Sequence, residues 1–249
     1  MMFTVRRGII LAAGRGERLR PLTLDTPKPL IRVNGVRMID SVIAALHKNG
    51  IFELYVVVGY QKEQFQSLEK EYPGLRLIEN PDFDRCNNIS SLYAAREHLS
   101  DCMILDGDQI IRNPAVLAPK FVRSGYNAVW TDRETGEWLL TVEGGKNAAD
   151  GVITHCSRTG GKNGWQLYSI SRWSEADGKK LRRHLELEFE EKNNTGIYWD
   201  DVPMFCHPTE YRLGIFAMDA GDVTEIDTLD ELAAEDPAYR RLTRGDGNE

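Results

Sequence analysis

Four cations crowd one short stretch near the N-terminus: Arg15, Arg18, Arg20 and Lys28. They follow an apolar run at residues 8–12 and are interleaved with Gly14 and Gly16. Glycine has no Cβ, so backbone N–H groups at such a turn can approach an anion closely. A buried strand, a glycine turn and fixed cations together describe a cradle for a polyphosphate. Two acidic strings offer the complementary chemistry: Asp106-Gly107-Asp108 and Glu225-Ile226-Asp227, each at the end of an apolar run. Attack on a bound polyphosphate gathers negative charge on the attacking and leaving oxygens. A Mg²⁺ held by one or two carboxylates and the substrate phosphates relieves that repulsion. Asp108 and Asp227 suit this role if the fold brings them together. Alone, Asp-Gly-Asp is ordinary turn chemistry, which the basic loop tips toward a metal, and Asp227 or Thr228 is an ordinary helix cap.

A third group lies in the second half: Glu137-Trp138, Trp173, and Tyr198-Trp199-Asp200-Asp201. Ring faces attract an alkylammonium, by up to about 2 kcal/mol when desolvated, and neighbouring acids balance its charge. Trp130 and Trp165 read instead as core.

These groups need a scaffold. Residues 38–49 carry Met38, Ile39, Val42, Ile43 and Leu46 at helical spacing, with Gly50 as the stop. Residues 54–58 form a continuous apolar run, as expected of a strand buried on both faces. A helix over 61–71, a strand over 75–78, a helix capped by Asn88 or Ser90 and running to Leu99, and a strand over 103–105 follow. The pattern predicts an α/β, Rossmann-like doubly wound sheet, mixed but mostly parallel, with ligands at the carboxyl ends of its strands. The second half is an elaboration of shorter strands over 126–131, 137–142, 151–155, 165–170, 211–217 and 224–226. Helices are expected over 174–191 and 199–205, and a last one capped by Thr228. The expected organisation is one domain over 1–249. Its nucleotide-binding part covers about 1–125, its acceptor-binding part about 126–242, and a frayed tail 243–249.

Composition narrows the partners. Hydrophobic residues make up 41% and charged residues 28% of the 249, ordinary for a globular chain with a full core. A formal charge of −7 argues against a nucleic-acid polymer. The apolar runs are too short to span a bilayer, and the first residues lack a signal peptide's apolar region. Cys86, Cys102, Cys156 and Cys206 show no C-x-x-C spacing. Four reduced cysteines in a cytoplasmic protein are expected.

Two familiar phosphate loops fail. A dinucleotide fingerprint needs a third glycine where Leu19 stands, and no Gly-Lys-Ser/Thr opens a helix. What remains is L-x-x-G-x-G-x-R-[LM]-x-P-L-T, here Leu11, Gly14, Gly16, Arg18, Leu19, Pro21, Leu22 and Thr23, followed by Pro27-Lys28-Pro29. With these residues the chain resembles the bacterial nucleotidyltransferases of the sugar-nucleotide pyrophosphorylase type. Within them it is most similar to the CTP:phosphocholine cytidylyltransferases of choline-decorating bacteria. The strings Val57-Val58-Gly59-Tyr60, Asn87 to Tyr93, Glu137-Trp138, Tyr198-Trp199-Asp200 and Glu225-Ile226-Asp227 extend the resemblance, whereas residues 144–164 match nothing. The Asp-Gly-Asp string has the form more common among sugar nucleotidyltransferases.

The resemblance implies Mg²⁺ on Asp108 and Asp227, Lys28 on the phosphates at the reacting centre, and Arg18 on the leaving pyrophosphate. It implies nucleotide binding by Leu11, Ala12, Ala13, Gly14, Arg15 and Gly16, and by Gly59, Tyr60, Asn88 and Ser91. It implies an acceptor pocket of Trp138, Trp173, Tyr198, Trp199 and Asp200. The expected reaction is transfer of CMP from CTP to phosphocholine, giving CDP-choline and pyrophosphate. Phosphoethanolamine, 2-aminoethylphosphonate and a sugar 1-phosphate are the alternative acceptors, and a non-catalytic nucleotide-binding module the alternative of another class.

Overall fold

Successive side chains of a strand point to opposite faces, so an unbroken apolar strand needs cover on both sides. The structure, a computed structural model describing residues 2–148 and 151–243, supplies that cover. Strands β1 (Arg7–Ala12), β2 (Glu53–Val58), β3 (Leu75–Glu79) and β4 (Cys102–Asp106) run parallel in the spatial order β3-β2-β1-β4. Ile10 and Ala12 of β1 face helix α1 (Met38–Lys48), which buries Ile39, Val42, Ile43 and Leu46 against them. Ile9 and Leu11 face the other side, toward Ile89 and Leu92 of α2 (Ile89–Ala94). The sheet is therefore doubly wound, as the alternation of strand and helix signals requires.

The second half joins this sheet rather than standing apart from it. β5 (Gln109–Ile111) leaves β4 through the turn at Asp108. The long strand β9 (Gly164–Trp173) pairs antiparallel with β4, Ile170 opposite Leu105. It also pairs with β6 (Gly125–Thr131) and β7 (Leu139–Val142), and β8 (Ile153–Ser157) extends the edge beyond β7. β10 (Gly214–Ala217) lies parallel to β6, completing nine strands. Separately, β11 (Val223–Glu225) pairs antiparallel with β5, Glu225 opposite Gln109. Ser174 caps α3 (Glu175–Glu186) by accepting the Asp177 N–H at 3.2 Å, and Leu181 and Leu185 enter the core. Thr228 caps α4 (Leu229–Glu235) in a reciprocal box with Glu231.

Several expectations change. The stretch 61–71 is two short turns, Lys62–Phe65 and Leu68–Glu71, because Phe65 and Leu68 alone anchor it and Gln61 enters at φ 47°. The helix expected up to Leu99 stops at Ala94, and a 3₁₀ turn, Arg96–His98, takes its place. Asn88 stands at the N-cap of α2, as expected, but makes no capping side-chain bond; its Oδ1 accepts the Trp199 N–H at 2.8 Å. The helix expected over 199–205 is a wide turn at Val202–Cys206. Thr243, expected to open a frayed tail, ends a helical turn that begins at Arg240, and residues 244–249 lie outside the described residues. Trp165 is buried and packs edge-on against Trp130, as expected of core. All four cysteines are free. Among the described residues no helix is long and apolar enough to cross a membrane.

Candidate active site

β1 and β4 are neighbours with Leu11 opposite Asp106, so the loops leaving their carboxyl ends open side by side. The loop after β1 turns at Gly16, whose φ of 61° is left-handed. A Cβ there would stand 2.9 Å from the Cβ of Lys28. The chain then makes a helical turn, Leu22–Asp25, and a 3₁₀ turn, Lys28–Leu30, that brings Lys28 back beneath the loop. The Thr23 hydroxyl donates to the Gly16 carbonyl at 3.0 Å and ties the two together. Among the described residues, the amides of Gly14, Arg15 and Gly16 donate to no protein acceptor, which leaves three consecutive N–H groups for an anion.

Pairing of β5 with β11 carries Asp108 and Asp227 to the same place. The Lys28 ammonium lies between them, 2.5 Å from Asp108 Oδ2 and 2.8 Å from Asp227 Oδ1. Arg18 reaches the same Asp227 oxygen at 3.0 Å. Burial opposes the charge on Lys28, but the two carboxylates outweigh it and hold the ammonium above the usual lysine range. Burial likewise opposes ionisation of Asp227, and Lys28 and Arg18 overcome it. Behind this pair, burial pushes Glu225 up to about 7, with Asp108, Asp227 and Glu137 adding repulsion against a 2.8 Å hydrogen bond from Gln109. Burial and the neighbouring acids also raise Asp106 well above the carboxylate range.

The fit to a divalent cation follows from this convergence. Two hard carboxylate oxygens already share one cation, and Mg²⁺ ordinarily takes one or two carboxylates plus substrate phosphates. Among the described residues no cluster of three or more metal-ligating side chains occurs, so the fit is to a two-carboxylate site.

A cleft of about 790 Å³ runs from the glycine loop to the second half. Leu11, Ala12, Ala13, Gly14, Gly16, Arg18 and Lys28 line one end, with Asn88 and Ser91 opposite and Asp108 and Asp227 between. Trp138, Tyr198 and Asp200 line the other end. Five expected residues are not on its wall. Arg15 stands 5.5 Å above the rings of both Tyr60 and Phe83. The Tyr60 hydroxyl donates to the Thr23 carbonyl at 2.8 Å, so Tyr60 braces the loop, and Gly59 packs against Phe83. Trp173 and Trp199 correct the expected pocket. Both are buried, 6.1 Å apart, and pack on Tyr126 with α3, because a large aromatic between two elements gains more from core burial than from a wet wall.

The structure also adds residues. Glu137 and Asn87 line the cleft beside partners the motifs did mark, and Asp106 belongs to the acidic string itself. Leu167 and Ser169 come from β9 and carry no local signal, since only the pairing of β9 with β4 aims them inward. Asn87 and Asn88 bind the far loop: Asn87 N–H donates to the Thr195 carbonyl at 2.8 Å, and the Asn88 side chain takes the Trp199 N–H. Asp200 ends this arrangement. Its carboxyl is buried and pushed up to about 7, chiefly by burial. Tyr126 lies close enough to favour the ionised form, yet neither the Tyr126 hydroxyl nor Asp200 Oδ1 has a hydrogen bond of regular geometry.

The profile of the MobA-like NTP transferase domain matches residues 8–172. Over 238 residues the chain is 38% identical to the 2-aminoethylphosphonate cytidylyltransferase of Lancefieldella rimae, covering 95% of this chain and 94% of that protein. It is 30% identical to the choline-phosphate cytidylyltransferase of Streptococcus pneumoniae, covering 95% and 96%. The solved CTP:phosphocholine cytidylyltransferase of Streptococcus pneumoniae superposes with a TM-score of 0.81 at 29% identity, over 96% of this chain and 98% of that one. The inositol-1-phosphate CTP transferase of T. maritima shares the fold, with a TM-score of 0.74 at 19% identity over the whole of both chains.

Proposed function

Because the chain belongs to the family of the MobA-like NTP transferase domain, we propose that this nucleotidyltransferase moves CMP from CTP to the phosphonate oxygen of 2-aminoethylphosphonate. The observation that carries the acceptor is Asp200, a buried carboxylate among the residues lining the cleft, whose oxygens pair with no cation among the described residues. A primary ammonium brings three N–H donors to such an oxygen, and a quaternary ammonium brings none. Glu137 adds a second acid at the same end. The similarity to the Lancefieldella rimae enzyme supports the same acceptor. Phosphocholine is the second reading, favoured by the Trp138 and Tyr198 rings. Two rings at 90° leave an open side, where a cage would need more faces.

In the reaction an acceptor oxygen attacks the α-phosphorus in line. The new P–O bond forms as the bond to the β-phosphate bridge breaks, and pyrophosphate leaves with that electron pair. The acceptor is already an anion, so no general base is required. The free amides of Gly14 to Gly16 hold the phosphates, Lys28 faces the transferred group, and Arg18 faces the departing pyrophosphate. Asp108 and Asp227 would hold Mg²⁺, which supplies charge neutralisation when bound.

Pyrophosphate release with CTP and Mg²⁺ across 2-aminoethylphosphonate, phosphoethanolamine, phosphocholine and glucose 1-phosphate tests this reading. Preference for 2-aminoethylphosphonate, lost in Asp200→Asn, supports it. Preference for phosphocholine that survives Asp200→Asn moves the chain to the second reading. No turnover with any acceptor leaves a nucleotide-binding module.

A further inference from the structure

The hairpin of β7 and β8 occupies the stretch that no sequence motif explains. Leu139 of β7 pairs with Ser157 of β8, so the next residues outward, Trp138 and Arg158, are neighbours at its open end. Trp138 lines the cleft. Arg158 lies behind it, with its guanidinium 4.0 Å from the Phe205 ring centre and 5.8 Å from that of Trp138. The same guanidinium is 2.5 Å from Asp201 Oδ1, an ion pair without regular hydrogen-bond geometry on a carboxylate only 3% exposed. The other oxygen of Asp201 accepts the Tyr198 N–H at 2.9 Å, and the Asp201 N–H returns to the Tyr198 carbonyl at 3.1 Å. One side chain thus closes the turn from Tyr198 to Asp201, and Asp200 sits inside that turn.

We propose that Arg158 is a positioning residue for the acceptor end of the cleft: by pairing with Asp201 it locks the turn that presents Tyr198 and Asp200, and by stacking it supports Trp138. Two adjacent buried acids repel each other, and a carboxylate with no counter-charge in such a place tends to take a proton or turn outward. Burial holds the Asp201 carboxyl above its ordinary value and Arg158 offsets part of that cost, whereas Asp200 has no cation beside it. An arginine suits this post because a planar guanidinium can stack on a ring and bind a carboxylate at once, which an ammonium cannot. The inference rests on the proposed acceptor chemistry for its meaning, but not for its test.

The experiment compares Arg158→Met, Arg158→Lys, Asp201→Asn and the double variant Arg158→Met/Asp201→Asn. Arg158→Met should raise the acceptor KM by about tenfold or more while the CTP KM stays within about twofold. Arg158→Lys should fall between it and the wild type, and the double variant should be no worse than Arg158→Met alone. An unchanged acceptor KM, an equal rise in both KM values, or additive losses in the double variant would overturn the proposal. Hydrogen exchange at the Tyr198 amide, read without substrate, decides independently of turnover. Faster exchange there in Arg158→Met, with β1 amides unchanged, supports the lock, and unchanged exchange at Tyr198 refutes it. If Arg158→Met does not fold, the same exchange measurement on Arg158→Lys applies, with the same two outcomes. Absence of turnover in the wild type would sink the proposed function while leaving the exchange result to judge Arg158.

Discussion

Lys28 holds apart two carboxylates that would otherwise repel across a few ångströms, and it does so at the mouth of the glycine loop. Its charge is fixed by those neighbours, so it serves as a permanent electrostatic partner and not as a proton donor. Lys28→Ala should lower kcat by roughly 10²–10³-fold, with the CTP KM changed only a few-fold, because such a group matters most where charge develops. Single-turnover kinetics measure this, and an unchanged kcat would refute the role. Asp200 gives a pH prediction. Its carboxyl has an ordinary value of 3.8 when unfolded and about 7 when folded, chiefly through burial. The fold therefore favours the neutral acid, and this contribution is fully present at low pH and is lost as pH rises from the ordinary range through about 7. Each unit of that interval costs up to about 1.4 kcal/mol. Asp200→Asn should melt higher than the wild type at pH 8 and alike at pH 4. Function runs the other way, since the ionised form binds an ammonium. The wild-type kcat/KM for an amine acceptor should climb through about pH 7, and Asp200→Asn should be low and flat. A flat wild-type profile would contradict the assignment.

At the scale of elements, Tyr198 and Trp199 are adjacent in sequence and opposite in duty. Tyr198 is 50% exposed beside the cleft, and Trp199 is 2% exposed between Tyr126 and Trp173. Trp199→Ala should cost about 3–5 kcal/mol in urea unfolding, as large-to-small changes in a packed core do. Tyr198→Ala should leave stability nearly unchanged and raise the acceptor KM. Equal destabilisation by the two would be inconsistent with this packing. The sequence singles out the aromatic-acidic string, but not which ring faces which way, because that depends on α3 and β6 arriving from elsewhere in the chain. The glycine loop is the opposite case, since its conformation is local. Gly16→Ala should cost about 1–2 kcal/mol for left-handed backbone. It should lose activity as well, because the added Cβ meets Lys28. Asn88 was legible as polar and placed before a helix, yet its side chain holds a distant loop instead of a cap.

For the molecule as a whole, β9 is the splice. It pairs with β4 from the first half of the chain and with β6 and β7 from the second, so one sheet carries both ends of the cleft. We expect a single cooperative unit: urea transitions followed by far-ultraviolet dichroism and by tryptophan fluorescence should coincide. Two separated transitions would show independent halves. Gly178 of α3 packs so closely on the first half that an added Cβ would meet the Leu99 carbonyl at 1.9 Å. Gly178→Ala should therefore lower the midpoint of both probes together. The amino-acid sequence by itself determined the glycine loop, its cations, the two acidic strings and the doubly wound first half, because those follow from local spacing and from alternation along single strands. Tertiary structure alone decided that Lys28, Asp108 and Asp227 meet, that Trp173 and Trp199 are core, and that Arg158 stands behind the cleft. Those facts rest on pairings between distant segments, β5 with β11 and β9 with β4, and on the long hairpin of β7 with β8, whose register no short window of residues encodes.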